Sequence, residues 1–316
     1  MKLAILGAGD VGRSVADLAG EYGHDVVALA DSTTAAVDAN GIAVRETIDR
    51  KVNDDTLGTA DPDDIFETEY DVLVEATPTT LGDAQPGFSH AKRTLTDDRH
   101  VVLANKGPVA ERYEELQGLE AESAGSVRFE ATVGGAIPVL STIEDETPQA
   151  VTAIRGVLNG TANFILTRMA AEGLDYEHVL AEAQDLGVAE ADPTFDVDGT
   201  DAALKFVILA NVLADGGFSL SDATVDGIEN IPGSALDLAA EDGRTIRLIG
   251  EATRDGVRVG PRLVPENSAL AVTGTRNIVQ IETRHAGSLH SSGRGAGGPE
   301  TATAVLSDIG RLPPLE

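Results

Sequence analysis

Five carboxylates, Glu190, Asp192, Asp196, Asp198 and Asp201, lead up to Lys205 in the stretch GVAEADPTFDVDGTDAALK, residues 187–205. Asp201 and Lys205 stand four apart, on one face of a helix predicted to start at Asp201 behind a Thr200 cap. The helix continues as FVILANVL, almost wholly apolar, so Lys205 belongs at the border between core and acidic loop. An exposed pair at this spacing contributes only about 0.2–0.5 kcal/mol, too little to explain such a setting. A partly buried lysine held by carboxylates can serve as a proton donor. The surrounding acids could separately hold a cationic group such as an α-ammonium. Calcium is a poor match, because the EF-hand spacing and its glycine are missing.

Three other stretches carry chemistry. GAGDVG, Gly7 to Gly12, follows an apolar run and opens a helical pattern. Its glycines permit a tight turn and close approach of backbone to a pyrophosphate at a helix N-terminus. Asp31 ends the next apolar run and could accept hydrogen bonds from ribose hydroxyls, which favours NAD over NADP. The nearest candidate for a 2′-phosphate is the distant Lys51. In ANKGPVA, Lys106 falls just past a predicted strand, at the edge where open α/β sheets bind ligands. GVLNGTANF sets Asn159, Gly160 and Thr161 at a strand-to-helix junction. That is an N-cap, which alone would explain it, and it could also aim backbone N–H groups at a substrate carboxylate.

Two kinds of architecture are needed to position these residues. KLAILGAG, DVVALAD, DVLVEAT, HVVLANK and SVRFEAT are β-branched-rich runs with helical patterns between them, the grammar of a doubly wound parallel sheet. This Rossmann-like α/β domain is expected over 1–132. Beyond GGAIP the pattern changes to helices and hairpins, among them RTIRLIGEATRDGVRVGPRLV around an Asp-Gly turn. That predicts a second, α+β domain over 133–296 with a predominantly antiparallel sheet. Gly173 marks a helix stop.

Composition sets the class. At 316 residues two domains are the natural division, and 42% hydrophobic content supplies ample core. There is no Cys, which excludes disulfides, thiolate metal ligands and cysteine nucleophiles. The net charge of −30 repels nucleic acid and anionic lipid. No run reaches bilayer-spanning length and no cleavage region follows MKLAILGAG, so a soluble cytoplasmic protein is expected. Only five lysines remain, Lys2, Lys51, Lys92, Lys106 and Lys205, and the acidity suits concentrated salt, where the Debye length falls to about 3 Å at 1 M.

Taken together, GAGDVG, LANKGP, FEATVGGAIPVL, GVLNGTANFIL, LGVAEADPTFDVDGTDAALK and GAGGPETATAVLSDIG resemble homoserine dehydrogenase, in the family's order and over nearly the whole chain. The resemblance implies NAD(P)-dependent interconversion of L-aspartate 4-semialdehyde and L-homoserine, on the route to threonine and methionine. It implies Lys205 as acid/base, Lys106 beside the nicotinamide, and Glu190, Asp196, Asp201, Gly160 and Thr161 against the substrate. Dinucleotide contacts would come from Gly7, Gly9, Asp10, Val11, Gly12, Asp31, Thr77, Lys106 and Gly297. A monovalent cation, Na+ or K+, would sit on mainly main-chain oxygens of Glu130, Val133, Gly135 and Ile137. The second domain, 133–296, would serve catalysis and dimerisation, subunits pairing through its sheet as a homodimer or dimer of dimers, and the tail 297–316 would pack back onto the first domain. Val188 departs from the pattern, standing where many members carry an aromatic residue, and with GRLPPLE as the last residues no threonine-binding regulatory domain is expected. Two other readings compete: another two-domain amino-acid dehydrogenase and a dinucleotide-sensing protein. Aspartate semialdehyde dehydrogenase forms its thioester on Cys, which this chain lacks.

Overall fold

The computed structural model describes residues 1–315. The chain forms two compact units, residues 1–136 with the chain from 296 onward, and residues 137–295.

The first unit is built on a sheet of β1 (Lys2–Leu6), β2 (Asp25–Ala30), β3 (Ala35–Val37), β4 (Val72–Glu75), β5 (His100–Leu103) and β6 (Val127–Arg128), in the order β3-β2-β1-β4-β5-β6. All neighbours are parallel except β3, which runs antiparallel to β2 at the edge. KLAIL and DVVALA are continuous apolar runs because both faces of the sheet are covered. Leu3 and Ile5 pack with Val15 and Ala16 of the Asp10–Leu18 helix and with Val305 and Leu306 of the Gly298–Ile309 tail helix. Ala4 and Leu6 point the other way, toward Ile65, Phe66 and Tyr70. The order reverses between β1 and β4, which makes the carboxyl edge there the binding crevice of such sheets. SVRFEAT yields only the two-residue β6. Its continuation turns into a 3-10 segment, Glu130–Thr132, because the Glu130 N–H donates to Asp308 Oδ2 of the tail helix (2.7 Å) instead of to a strand.

The second unit holds β7 (Val151–Val157), β8 (Ala223–Val225), β9 (Arg244–Thr253), β10 (Gly256–Pro265), β11 (Arg276–Thr283) and β12 (Gly287–Arg294), in the order β12-β11-β7-β9-β10-β8. Pairing is antiparallel apart from β8 on β10. The β9–β10 hairpin turns where the Asp-Gly signal falls. The Thr200–Ala214 helix is apolar nearly all round and correspondingly buried. Its Phe206 ring lies on Gly250 of β9, where an added Cβ would stand 2.0 Å from the ring. Gly173 ends the Gly160–Glu172 helix in the left-handed conformation, φ 64°.

Candidate active site

In the second unit the acidic stretch and the strand-to-helix junction converge on one lysine. Lys205 is 7% exposed. Its Nζ donates to the Leu158 carbonyl at 2.6 Å and to Asp201 Oδ2 at 2.7 Å. Asn159 completes the arrangement. Its Oδ1 accepts the Ala162 N–H and caps the Gly160–Glu172 helix, while its Nδ2 donates to Asp196 Oδ1 (2.6 Å) and to Asp201 Oδ2 (2.9 Å). One amide therefore bridges two carboxylates beside a single ammonium. Burial, and then the neighbouring Asp201, push the Asp196 carboxyl above its ordinary value, against the pull of Asn159 and Lys205.

The five acids do not act as one crowd. Asp196 and Asp201 reach the lysine network. Asp192 accepts the Thr194 N–H and Asp198 the Thr200 N–H, so each closes a local turn. Glu190 is exposed, and its carbonyl takes a hydrogen bond from Gln184. The helix begins at Thr200 rather than Asp201, behind Gly199 at φ 89°, a conformation that glycine adopts without strain. Thr161 Oγ1 donates to the Val188 carbonyl (3.1 Å), so at position 188 the backbone is engaged whatever the side chain. Gly160 is the first residue of its helix, with the Thr275 carbonyl 3.0 Å from where a Cβ would lie. Asn159 was legible only as a cap. Nothing in the sequence tells where its amide protons go.

In the first unit, Gly7 (φ 101°) presses on the chain just past β4, with an added Cβ 2.3 Å from the Ala76 carbonyl. A Cβ on Gly12 would fall 1.7 Å from the Gly7 carbonyl. Gly9 meets nothing within 4 Å and caps the first helix without any side chain, leaving its N-terminal amides open to a phosphate. Asp10 sits in that first turn, paired with Arg13 at 2.6 Å, and Val11 packs partly into the core. Gly297 caps the tail helix at φ 118°, and a Cβ on Gly298 would come 2.7 Å from the Asp10 carbonyl. These features fit a dinucleotide.

Asp31 is more engaged than the sequence suggests. Oδ1 accepts the Thr33 and Thr34 N–H groups and the Thr33 hydroxyl, and Oδ2 lies 2.9 Å from Lys51 Nζ. Burial alone would raise this carboxyl, but Lys51 and the threonine donors outweigh it and hold it at about 2. Lys51 is thus an immediate neighbour of Asp31, not a distant one. Thr77 and Lys106 follow the ends of β4 and β5, and Lys106 opens a helix capped by Asn105. Glu130 and Val133 bracket the 3-10 turn, the Glu130 carbonyl accepting the Val133 N–H (3.3 Å), and Gly135 follows at φ 56°. Ile137 belongs to the second unit and is buried. Among the described residues no group of three His, Cys, Asp or Glu side chains could hold a metal ion.

A parallel sheet with a glycine turn at its switch point, in a chain that also holds a buried lysine paired with an aspartate, is the make-up of an NAD(P)-dependent oxidoreductase. The family model for homoserine dehydrogenase matches residues 138–309, and that for glutamate/leucine/phenylalanine/valine dehydrogenase matches residues 1–81. The homoserine dehydrogenase of Methanocaldococcus jannaschii is 40% identical, with 98% of this chain and 97% of that one covered. The NAD(+)-dependent homoserine dehydrogenase of Pseudomonas canavaninivorans is 34% identical, over 98% and 95%. A solved hyperthermophilic archaeal homoserine dehydrogenase in complex with NADPH superposes with a TM-score of 0.85 at 27% identity, covering 100% of this chain and 99% of that one. This chain belongs to the homoserine dehydrogenase family.

Proposed function

We infer that the protein interconverts L-aspartate 4-semialdehyde and L-homoserine with NAD(P), and that Lys205 exchanges the proton with the substrate oxygen. The observation that carries this is a buried ammonium aimed by the Leu158 carbonyl and Asp201. When the aldehyde is reduced its oxygen gathers negative charge, and an oriented ammonium both stabilises that charge and supplies the proton. The nicotinamide, when bound, supplies the hydride chemistry. Asp201 neutralises and aims the lysine. Glu190 and Asp196 offer carboxylates to the α-ammonium, Gly160 and Thr161 lie against the substrate, and Lys106 positions substrate and cofactor.

The test is reduction of NAD or NADP by the purified protein in concentrated KCl with L-homoserine as substrate. L-glutamate and L-leucine serve as comparators, because the match over residues 1–81 favours a broader amino-acid dehydrogenase as the second reading. Homoserine-dependent reduction with inert comparators is expected. Comparator rates equal to the homoserine rate would reject the assignment.

Finer features follow from the same reading. NAD is used at least as well as NADP, since Asp31 repels a 2′-phosphate and Lys51 offsets only part of that. Main-chain oxygens at Glu130, Val133, Gly135 and Ile137 take Na+ or K+, so replacing these ions by tetramethylammonium at constant ionic strength lowers the rate. Two copies pair through the sheet of the second unit, which sedimentation in high salt would report. The acidic surface suits a salt-rich cytoplasm, where the product feeds threonine and methionine synthesis.

A further inference from the structure

Glu75 is an odd residue to find at the end of β4. The strand VLVE is apolar up to that point, and Glu75 is fully buried. An ionised carboxylate out of water is costly unless its lone pairs are used. Here they are used unequally. Oε1 accepts the Thr77 hydroxyl and also lies 3.4 Å from the Thr77 backbone nitrogen and from His90 Nδ1. Oε2 is buried with no hydrogen-bond partner. An apolar side chain would end this strand at lower cost, so the carboxylate has some other use.

That use lies in what Thr77 touches. Its hydroxyl proton goes to Glu75, which leaves Thr77 Oγ1 free to accept from Asn105 Nδ2 at 3.2 Å. The same Nδ2 donates to the Pro78 carbonyl (3.3 Å), and Asn105 Oδ1 accepts the Gly107 N–H (2.9 Å), the cap of the helix that Lys106 opens. The Lys106 N–H in turn reaches Thr79 Oγ1 at 3.4 Å. The Asn105 amide can therefore lie only one way round, set by the Gly107 N–H and the Pro78 carbonyl, and the Thr77 hydroxyl turned by Glu75 adds a third partner in the same sense. Packing closes the network from above. A Cβ on Gly87 would stand 2.6 Å from Asn105 Nδ2 and 3.1 Å from Glu75 Oε2.

We propose that Glu75 is a positioning residue for the reaction: by fixing the Thr77 hydroxyl and, through Asn105, the start of the Lys106 helix, it holds the cofactor edge of β4 and β5 in its working geometry. The proposal rests on the reading that Thr77 and Lys106 meet dinucleotide and substrate. The experiment measures dinucleotide Kd by calorimetry, with kcat and KM for homoserine, in concentrated KCl. It compares Glu75→Leu, Glu75→Gln, Thr77→Val and the Glu75→Leu/Thr77→Val double variant.

Thr77→Val and Glu75→Leu should each weaken dinucleotide binding about tenfold, the loss of one oriented contact. The double variant should be no worse than the poorer single one, because both changes remove one interaction. Glu75→Gln, whose amide oxygen can still accept from Thr77, should recover to within about threefold. Independent, multiplying losses, or a Gln variant as poor as Leu, would overturn the proposal. Full binding and turnover in Glu75→Leu alone would overturn it as well. If Thr77→Val itself binds normally, the placement of Thr77 at the cofactor is wrong and the proposal falls with it. Should Glu75→Leu not fold, Asn105→Asp carries the test: it keeps the helix cap and loses the donor to Thr77. Weakened binding at a native melting temperature would then support the proposal, and unchanged binding would refute it.

Discussion

At the residue scale, the unexpected participant is Asn159. Its two amide protons go to Asp196 and Asp201, carboxylates that would otherwise repel each other beside Lys205. Asn159→Ser keeps a capping hydroxyl but loses both donors. We expect kcat to fall about 10–100-fold with a modest change in melting temperature, since hydrogen bonds to charged groups contribute roughly 1.5–3 kcal/mol. Unchanged kcat with a large stability loss would make Asn159 merely a cap. Lys51 offers a second test. It sits 2.9 Å from Asp31, so it offsets the charge that would reject a 2′-phosphate. Lys51→Ala should raise the ratio of kcat/KM for NAD over NADP by about tenfold, which is about 1.4 kcal/mol. A ratio that stays level or falls would contradict that role.

At the element scale, the tail helix is bound to the first unit by a buried acid. Burial raises the Asp308 carboxyl to about 7. The Glu130 N–H opposes this rise and the Glu130 carboxylate adds to it, while Arg128 and Arg311 pull the other way. The folded pKa therefore lies above the unfolded one, near 3.8. Stability from this group is complete below about 3.8 and is lost as pH rises through about 7. Asp308→Asn, neutral throughout, should gain in Tm over the parent as pH climbs between these values and hold the gain above them. A pH-independent difference in thermal melts would show that folding leaves the Asp308 carboxyl at its ordinary value and would contradict the raised one. The sequence carried the elements with local signals: GAGDVG at a tight turn, Gly173 as a helix stop, Asp-Gly at the β9–β10 hairpin. It also paired Asp201 with Lys205 by helical spacing. It did not disclose links across the chain, such as Lys51 to Asp31, Asn159 to Asp196 or Glu130 to Asp308. Those depend on which loop ends meet, and no periodicity encodes that. Glu75 was hidden in the apolar run DVLVEAT for the same reason.

At the scale of the whole molecule, a net charge of −30 and a buried ammonium belong to one account. The acidic surface repels itself in dilute buffer and is screened in concentrated salt. Melting temperature and homoserine-dependent rate should therefore both climb steeply with KCl, and a flat thermal profile from dilute to concentrated salt would count against adaptation to salt. Within that acidic field the chemistry is assigned to a single lysine held by Asp201 and the Leu158 carbonyl. The most direct test is the turnover of folded Lys205→Ala with saturating homoserine and NAD in concentrated KCl, beside the parent protein. Loss of the general acid should lower kcat about 10²–10⁴-fold while NAD still binds. Near-normal turnover would contradict the assignment of the proton to Lys205.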